Sequence, residues 1–437
     1  MAELTWQTKQ AAFPLSGVLK TEAVVYPQGH GYPHAPAHNR LIRGENLAVM
    51  SALLAEHENR IDLIYTDPPF FTNRHYPARI GQDEDSRRPS EWQLAEGYPD
   101  HWPDINAYLD MLYPRLVLMH RLLAPSGTLY LHLDWHANAY ARLLLDEIFG
   151  AERLLNEIVW VYHGPSPIRS AFNRKHDTIL VYTKTDQYTF NVDAVRQPYD
   201  KNTVKTFASS TKAGFGKVPD LERGKVPEDW WYFPVVARLH RERTGYPTQK
   251  PEALIERILI ASSNPGDVVA DFFAGSGTTA VVAARLGRKY IANDAGWRSF
   301  YTTQSRLAAR TVEPFCVQVL SSGESESDLH HLVSPISGIA HHPVRLERSA
   351  DRLLVILDEE LSNLLEYWEV DPDYDGRLFR SAVQVTRERN KKIIQNVAQL
   401  PDMPGSRPVC VRWVDLKGEQ AQFLLEKPAG GLPAASG

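Results

Sequence analysis

The chain has 437 residues, longer than one typical domain, so two or three folding units are expected. Its 43% hydrophobic content is enough for a buried core and excludes global disorder, and no apolar run reaches the ~18 residues of a membrane span. The formal net charge is −5, yet residues 161–250 carry 15 Lys/Arg against 9 Asp/Glu, a local +6 that leaves −11 for the rest. A basic middle in an acidic protein has the form of a nucleic-acid footprint, and chance clustering on a solvated face is the competing reading. The opening "MAELTWQTKQAAF" has no basic region followed by an apolar core, so it does not read as a secretory signal. Cys316 and Cys410 are far apart and form no metal-spaced cluster, so a reducing, cytoplasmic setting without disulfides is the expectation.

Residues 1–38, rich in Pro, Gly and His ("YPQGHGYPHAPAH"), read as an irregular arm. Residues 39–185 alternate strand and helix. "NRLIRGENLAVMSALLAEHENRIDLIYTDPPF" gives strand, turn, helix, strand. A long helix, a Pro-Ser-Gly turn and another apolar strand follow in "DINAYLDMLYPRLVLMHRLLAPSGTLYLHLD". "HANAYARLLLDEIFG" is an amphipathic helix stopped by Gly150, and "NEIVWVYH" and "HDTILVYTK" are strands. From 186 to 245 the pattern dissolves into Lys, Ser, Gly, Pro and aromatic residues, an insertion. Order returns over 246–312 with helix "KPEALIERILIASS", strand "GDVVADFFAG", helix "TTAVVAARLG" and strand "RKYIAND". Such alternation predicts an α/β fold with a largely parallel sheet. The acidic linker "SSGESESD" then leads to an α+β piece over 320–426, and 427–437 reads as a flexible tail.

Two stretches carry chemistry. In "DVVADFFAGSGTTAVVAARLG" a buried strand runs through Gly275-Ser276-Gly277 into a helix, where backbone can approach a ligand and helix N–H groups are free. A plain tight turn competes with that reading of G-x-G alone. Asp294 ends the next strand, 17 residues after Gly277, where a carboxylate can accept from ribose hydroxyls. The other stretch is "IDLIYTDPPFFTN". Asp67-Pro68-Pro69-Phe70 sits at the carboxyl end of a strand, where open α/β sheets place their sites. The prolines lack N–H donors and have fixed φ, so their carbonyls and the Asp67 carboxylate make a rigid cluster of acceptors. Such a cluster suits a ligand offering N–H groups, and Phe70 offers a flat face for stacking. A planar base with an exocyclic amine fits, flipped from its duplex. Accepting from both amine protons favours a tetrahedral nitrogen whose lone pair can attack a methyl group on a sulfonium cation. A strand-ending proline turn with an incidental aspartate is the bland alternative.

With these residues in view, the sequence resembles the amino-group DNA methyltransferases that use S-adenosylmethionine, in their permuted, beta-type order. The D-P-P-F motif comes first and the F-x-G-x-G motif last, with Gly275 lying 208 residues after Asp67. The resemblance covers roughly Asn39 to Ala309 and is closest to type III modification subunits and related solitary adenine-N6 enzymes. It implies a Rossmann-like methyltransferase sheet, Asp67, Pro68, Pro69 and Phe70 as the catalytic motif, and S-adenosylmethionine as cofactor. "RLIRGENLAVMSAL" is similar to the family's adenine-pocket segment and implicates Glu45 and Asn46. "YPTQKPEALIERIL" resembles the element closing over the cofactor's methionine end and implicates Thr248, Gln249 and Lys250. Asp271, Phe273, Gly275, Gly277, Thr278 and Asp294 complete the implied cofactor set. Two departures stand out: Phe272 where the family often has Pro, and Tyr246 where His is common. D-P-P-F points to adenine N6, although cytosine N4 needs the same acceptors.

The insertion then reads as target recognition. Lys201, Lys205, Lys212 and Lys217, interleaved with Phe207 and Phe215, are the phosphate contacts expected for double-stranded DNA, and Arg238, Arg241 and Arg243 are candidates for reading bases or simply for surface charge. A non-catalytic DNA-binding module that keeps the fold is the rival of another class; methylation of RNA is a further variant. The resemblance leaves a restriction-nuclease partner and homodimerisation open. "DPDYDG" at 371–376 imitates an EF-hand opening, but its twelfth position is Ala382 rather than Glu, and the pairs His330-His331 and His341-His342 lack metal-spaced partners, so no metal is expected.

Overall fold

The computed structural model describes residues 3–10, 17–80, 86–165, 168–209, 220–237, 239–321, 343–349, 352–387, 393–400 and 407–427. In chain order the first part contains β1 (Val18–Val25), β2 (Asn39–Arg43), α1 (Asn46–His57), β3 (Ile61–Thr66), β4 (Arg74–Ile80), β5 (Gln93–Asp100), α2 (Ile105–Leu122), β6 (Leu123–Leu133), α3 (Asn138–Phe149), β7 (Leu154–Val161) and β8 (His176–Thr183). The middle contains α4 (Lys201–Ser209), β9 (Trp230–Tyr232), α5 (Glu252–Ser262), β10 (Val268–Asp271), α6 (Thr278–Arg285), β11 (Lys289–Asp294), α7 (Trp297–Arg310) and β12 (Phe315–Ser321). The last part contains β13 (Val344–Ser349), β14 (Arg352–Leu357), α8 (Glu359–Leu364), β15 (Leu365–Asp371), β16 (Phe379–Ser381), β17 (Val383–Thr386), β18 (Val397–Gln399), β19 (Val409–Asp415) and β20 (Gln420–Leu425).

One sheet of 11 strands runs β16-β1-β12-β2-β11-β10-β3-β6-β8-β7-β9. Its centre, from β12 through β2, β11, β10 and β3 to β6, is parallel throughout. Side chains alternate between the two faces with the strand period. Leu63, Tyr65, Val269 and Tyr290 pack with α5, α6 and α7 residues such as Leu254, Val282 and Phe300. Ile64, Ala270, Ile291 and Leu131 pack with α1, α2 and α3 residues such as Met50, Leu116 and Leu144. The result is a three-layer α/β/α core. From β3 the chain crosses through α2 to β6 on one side, whereas from β10 it crosses through α6 to β11 on the other. Neighbouring β3 and β10 therefore flank a topological switch point, and a crevice opens at their carboxyl ends.

Three local features differ from the sequence reading. The arm expected to be irregular contains β1, antiparallel to β12 and parallel to β16, because its apolar residues Ala23 and Val25 reach the core. The insertion is not patternless: it holds α4, and β9 extends the sheet beside β7. A two-stranded ribbon, β4–β5, stands between β3 and α2 where no element was anticipated. Part of the C-terminal region forms its own core around Trp368, Val355 and Val411. The segment resembling an EF-hand opening is a fastening turn, in which Asp371 accepts from Arg380 N, Asp373 N and the Tyr32 hydroxyl at 2.7–3.1 Å. The paired histidines, Lys212, Lys217, Phe215, Arg238, most of the acidic linker and nearly all of the tail lie outside the described residues. Among the described residues no helix is long and apolar enough to cross a membrane.

Candidate active site

A cavity of about 300 Å³ occupies the crevice at the switch point. Its lining brings together Asp67, Pro68, Pro69 and Phe70 from the end of β3 and Asp271, Phe273, Gly275 and Thr278 from the β10–α6 turn. Asp294 from β11 and Thr248, Gln249 and Lys250 from the approach to α5 complete the expected set found there. β3 ends where it does because Pro68 and Pro69 have no N–H to donate to a ladder.

Asp67 holds a specific posture. Lys250, buried and lying 5.4 Å from the Phe70 ring centroid, donates to Oδ2 of Asp67. Oδ1 is buried and has no hydrogen-bond partner among the described residues. The site thus keeps one carboxylate oxygen without a hydrogen bond beside an aromatic ring. Pro69 is less available than expected, since its carbonyl already accepts from the Tyr108 hydroxyl at 2.8 Å. A carbonyl has two lone pairs, so one remains.

The segment after Pro69 is held by a residue that sequence reasoning missed. Asp100, at the end of β5 and 1% exposed, accepts from Phe70 N, Phe71 N, Thr72 N, Thr72 Oγ1 and Trp102 Nε1 at 2.7–3.1 Å. These bonds fix a turn whose Phe71 has φ +65°. The ribbon adds a wall: Tyr76 and Tyr98 stack at 5.1 Å, and the Tyr98 hydroxyl lies 3.1 Å from Thr248 Oγ1. Gln249 lines the cavity but spends its amide on Glu242 O and on Thr244.

The glycine loop is fastened from below. Asp294 accepts from Gly275 N and Gly296 N, both at 2.9 Å, one on each oxygen. Burial pushes its carboxyl above the usual range. Asp271 accepts from Thr279 Oγ1 at 2.6 Å and Phe273 N at 3.1 Å, and burial pushes it up to about 7. Arg306, which reaches Ser276 O at 2.7 Å and Thr278 Oγ1 at 3.1 Å, ties the loop to α7. Glu252 pairs with Arg306 beneath it.

The two glycines differ. Gly275 has φ +53°, and a Cβ there would lie 3.4 Å from the Tyr246 ring, inside the cavity. Gly277 has φ +73° and does not line the cavity; its Cβ would lie 2.5–2.9 Å from Thr303 of α7. Helix packing, and not ligand space, demands Gly277. Glu45 and Asn46 are likewise off the cavity. Glu45 caps α1 through Ala48 N and pairs with Arg115, and Asn46 donates to Phe272 O at 2.9 Å. They support the loop from behind. Phe272 itself is fully buried among the α1–α3 layer, and Tyr246 covers Gly275.

The cavity also includes Asp134, Tyr162 and Asp177, which the sequence reading passed over. Burial outweighs the bonds that Asp134 receives and pushes its carboxyl up. Of the expected DNA contacts, Lys201 and Lys205 are exposed on α4, whereas Arg241 and Arg243 lie in the segment leading to Tyr246. None of the four lines the cavity.

Comparison with known proteins adds the relatives. A family of DNA methylases, acting on N6 and N4, matches residues 61–305. The chain is 32% identical over 259 residues to the type II methyltransferase M.BglII of Bacillus subtilis, spanning 58% of this chain and 64% of that protein, less than two thirds of it. It is 32% identical over 255 residues to the DNA adenine methyltransferase YhdJ of Escherichia coli (strain K12), spanning 57% of this chain and 76% of that one. Among solved structures it is similar to the PvuII DNA methyltransferase (cytosine-N4-specific), at 18% identity and a TM-score of 0.42, covering 64% of this chain and 88% of the other. With more than half of its length matched, from the strand before Asp67 to the helix after Asp294, the chain belongs to the N6/N4 DNA methylase family.

Proposed function

We propose that the chain is a site-specific DNA methyltransferase that moves a methyl group from S-adenosylmethionine to the N6 amine of adenine in double-stranded DNA. The observation that carries this reading is the Asp67 carboxylate, whose Oδ1 is buried without a hydrogen bond, in the lining of a cavity it shares with Gly275 and Asp294. Adenine rather than cytosine rests on the D-P-P-F motif and on the likeness to the E. coli adenine enzyme.

The residues present fit the cofactor. Asp294 lines the cavity, and its carboxylate, held by Gly275 N and Gly296 N, is the acceptor for a ribose hydroxyl. Gly275 keeps the floor open beneath Tyr246, and Thr248, Asp271, Phe273 and Thr278 line the same space. When bound, S-adenosylmethionine supplies a methyl group on a cationic sulfur that leaves as a neutral thioether. The chain's own residues do the rest. A base flipped from the duplex stacks on Phe70 and donates one amine proton to Asp67 Oδ1. A proline carbonyl takes the other. With both protons engaged the nitrogen becomes tetrahedral and its lone pair points along the line of transfer. Lys250 fixes the carboxylate rotamer from the far side. Positioning and electrostatics supply the acceleration. In this reading residues 186–245 recognise the target, with Lys201 and Lys205 on phosphates and Arg241 and Arg243 nearer the bases.

Transfer of labelled methyl to mixed-sequence duplex DNA, followed by nucleoside digestion and mass spectrometry, tests the proposal. N6-methyladenine is the expected product. N4-methylcytosine would keep the mechanism and replace the base. Cofactor binding with no methylated nucleoside would overturn the reading in favour of a DNA-binding module.

A further inference from the structure

Behind Asp67 lies a second layer of ionisable groups that methyl transfer as described does not use. His132, one residue before the end of β6, has no exposed surface, although the run around it, "LYLHL", is otherwise apolar. Its Nδ1 lies 2.9 Å from the Tyr65 hydroxyl and 3.5 Å from Asp67 Oδ1, the carboxylate oxygen that makes no hydrogen bond. Its Nε2 lies 3.3 Å from Asp177 Oδ2, and Asp177 Oδ1 accepts from the Tyr162 hydroxyl at 3.0 Å. Phe70 and Trp160 close the ring in at 5.4 and 5.3 Å. The charged and titratable groups facing it are Asp67 and Tyr65 at β3 and Asp177 at β8, with Lys250 and Tyr162 acting through these carboxylates.

The tautomer follows from the partners. An ionised carboxylate only accepts, so Nε2 carries the hydrogen toward Asp177 and Nδ1 is left with a lone pair. Burial favours the neutral acid of Asp177, but the hydrogen bonds from His132 and the Tyr162 hydroxyl, together with the Lys250 charge, hold its carboxyl below the usual range. A buried histidine thus spans a reactive carboxylate and a fixed anion, the arrangement by which carboxylates orient and stabilise imidazoles elsewhere.

We infer that His132 is a positioning residue for the methyl transfer proposed above, and that it receives, by way of Asp67, the proton the amine releases. The inference rests on that reading. The amine nitrogen forms its bond to the methyl carbon with its lone pair, and the carbon–sulfur bond breaks with its electrons remaining on sulfur. The nitrogen, now cationic, gives one proton to Asp67 Oδ1 and becomes a secondary amine. Asp67 returns to carboxylate by passing a proton to Nδ1 of His132. Tyr65, which donates to neutral Nδ1, then accepts from Nδ1–H by rotating its hydroxyl, and Asp177 balances the imidazolium. Solvent takes the proton once the product leaves.

The test is the pH profile of single-turnover transfer to mixed-sequence duplex DNA. The relay needs the Nδ1 lone pair of His132 free, so the wild-type rate is expected to fall toward acid pH. His132→Gln keeps a donor toward Asp177 but cannot titrate. It is expected to lower the plateau rate about 10-fold, below the usual range for direct acid–base catalysis because the proton leaves after transfer. It should flatten the acid limb and leave both KM values within about twofold. Asp177→Asn removes the anion facing Nε2, so its acid limb is expected to move to lower pH. A purely structural role would move neither limb. An acid limb unchanged in His132→Gln overturns the inference. If that variant does not fold, an unshifted limb in Asp177→Asn overturns it equally. Wild-type enzyme that methylates nothing would instead remove the methyl-transfer reading itself, and this inference with it.

Discussion

Asp100 concentrates the hold on the Phe70 turn in one side chain, which makes Asp100→Asn an informative perturbation. Oδ2 accepts from Phe70 N, Thr72 N and Thr72 Oγ1, and Oδ1 from Phe71 N and Trp102 Nε1. Asparagine keeps the shape but turns one oxygen into an amide nitrogen that faces donors, so two or three bonds are lost and the charge that strengthens the others disappears. Hydrogen bonds to a charged group contribute about 1.5–3 kcal/mol each and are not additive, so a loss of about 2 kcal/mol from the turn is a conservative total after relaxation. The turn is a local element with its own opening equilibrium, and 2 kcal/mol corresponds to roughly 30-fold faster amide exchange. Hydrogen exchange read at Phe70, Phe71 and Thr72 should show that acceleration, with amides of β19 unchanged as the internal control. Because Phe70 and Asp67 share the turn, methyl transfer should fall on the order of 10²-fold at unaltered cofactor affinity. Unchanged protection of these three amides would refute the clamp and leave the Tyr108–Pro69 bond as the restraint.

Asp67→Ala should abolish transfer, by at least about 10²–10³-fold, while isothermal titration finds cofactor affinity nearly intact; equal loss of both would contradict its assigned role. Gly277→Ala combines a left-handed φ with a clash against Thr303 and should cost about 2–4 kcal/mol in denaturant unfolding, whereas Gly275→Ala should cost about 1–2 kcal/mol and weaken cofactor binding instead. Burial raises Asp271 from 3.8 to about 7, so the folded state binds the extra proton between those values. The raised pKa therefore contributes stability present in full below pH 3.8 and lost as pH rises through about 7. The stability of Asp271→Asn relative to wild type should accordingly rise across that window and level off above it, and a pH-independent difference would show that Asp271 does not titrate there. Replacing Lys201 and Lys205 by Ala should reduce the slope of log affinity for DNA against log salt by about 2; an unmoved slope would place the DNA footprint elsewhere.

The parts of the site that are local in sequence were legible in it. Asp67 at the end of an apolar run closed by two prolines, and Gly275 between a strand and a helix, have their backbone dictated by immediate chain neighbours. Groups that act across distance did not declare themselves. Lys250 meets Asp67 over 183 residues, and the sequence reading had it only near the cofactor. Asp100 is a loop acid until the ribbon is known, and the ribbon hid because prolines interrupt both of its strands, at Pro77 and Pro99. His132 did leave a signal: one imidazole within the apolar run Leu129–Leu133 is buried by position and requires partners. Gly277 is a different case, because its need for glycine comes from outside the loop. Gly277 is dictated by Thr303, which approaches from a helix 26 residues away.

The charge of the cavity is also a property of assembly. Asp67, Asp100, Asp134, Asp177, Asp271 and Asp294 all line it, and Lys250 is the sole Lys or Arg there among the described residues, spent on Asp67. These acids come from six different places in the chain, so no composition window reveals them. Burial shifts Asp271 and Asp294 toward their neutral forms and thereby limits mutual repulsion. The remaining field is negative, and it acts in a low-dielectric crevice where charge counts for more than in water. In the proposed reaction that field favours a cationic sulfonium over its neutral thioether product. The same acids that place the amine thus bias the exchange of spent cofactor for fresh, so a charge-neutralising substitution at the cavity wall, Asp134→Asn, should narrow the affinity gap between cofactor and product. Titration calorimetry with both ligands measures that gap, and an unchanged ratio would assign discrimination to shape alone.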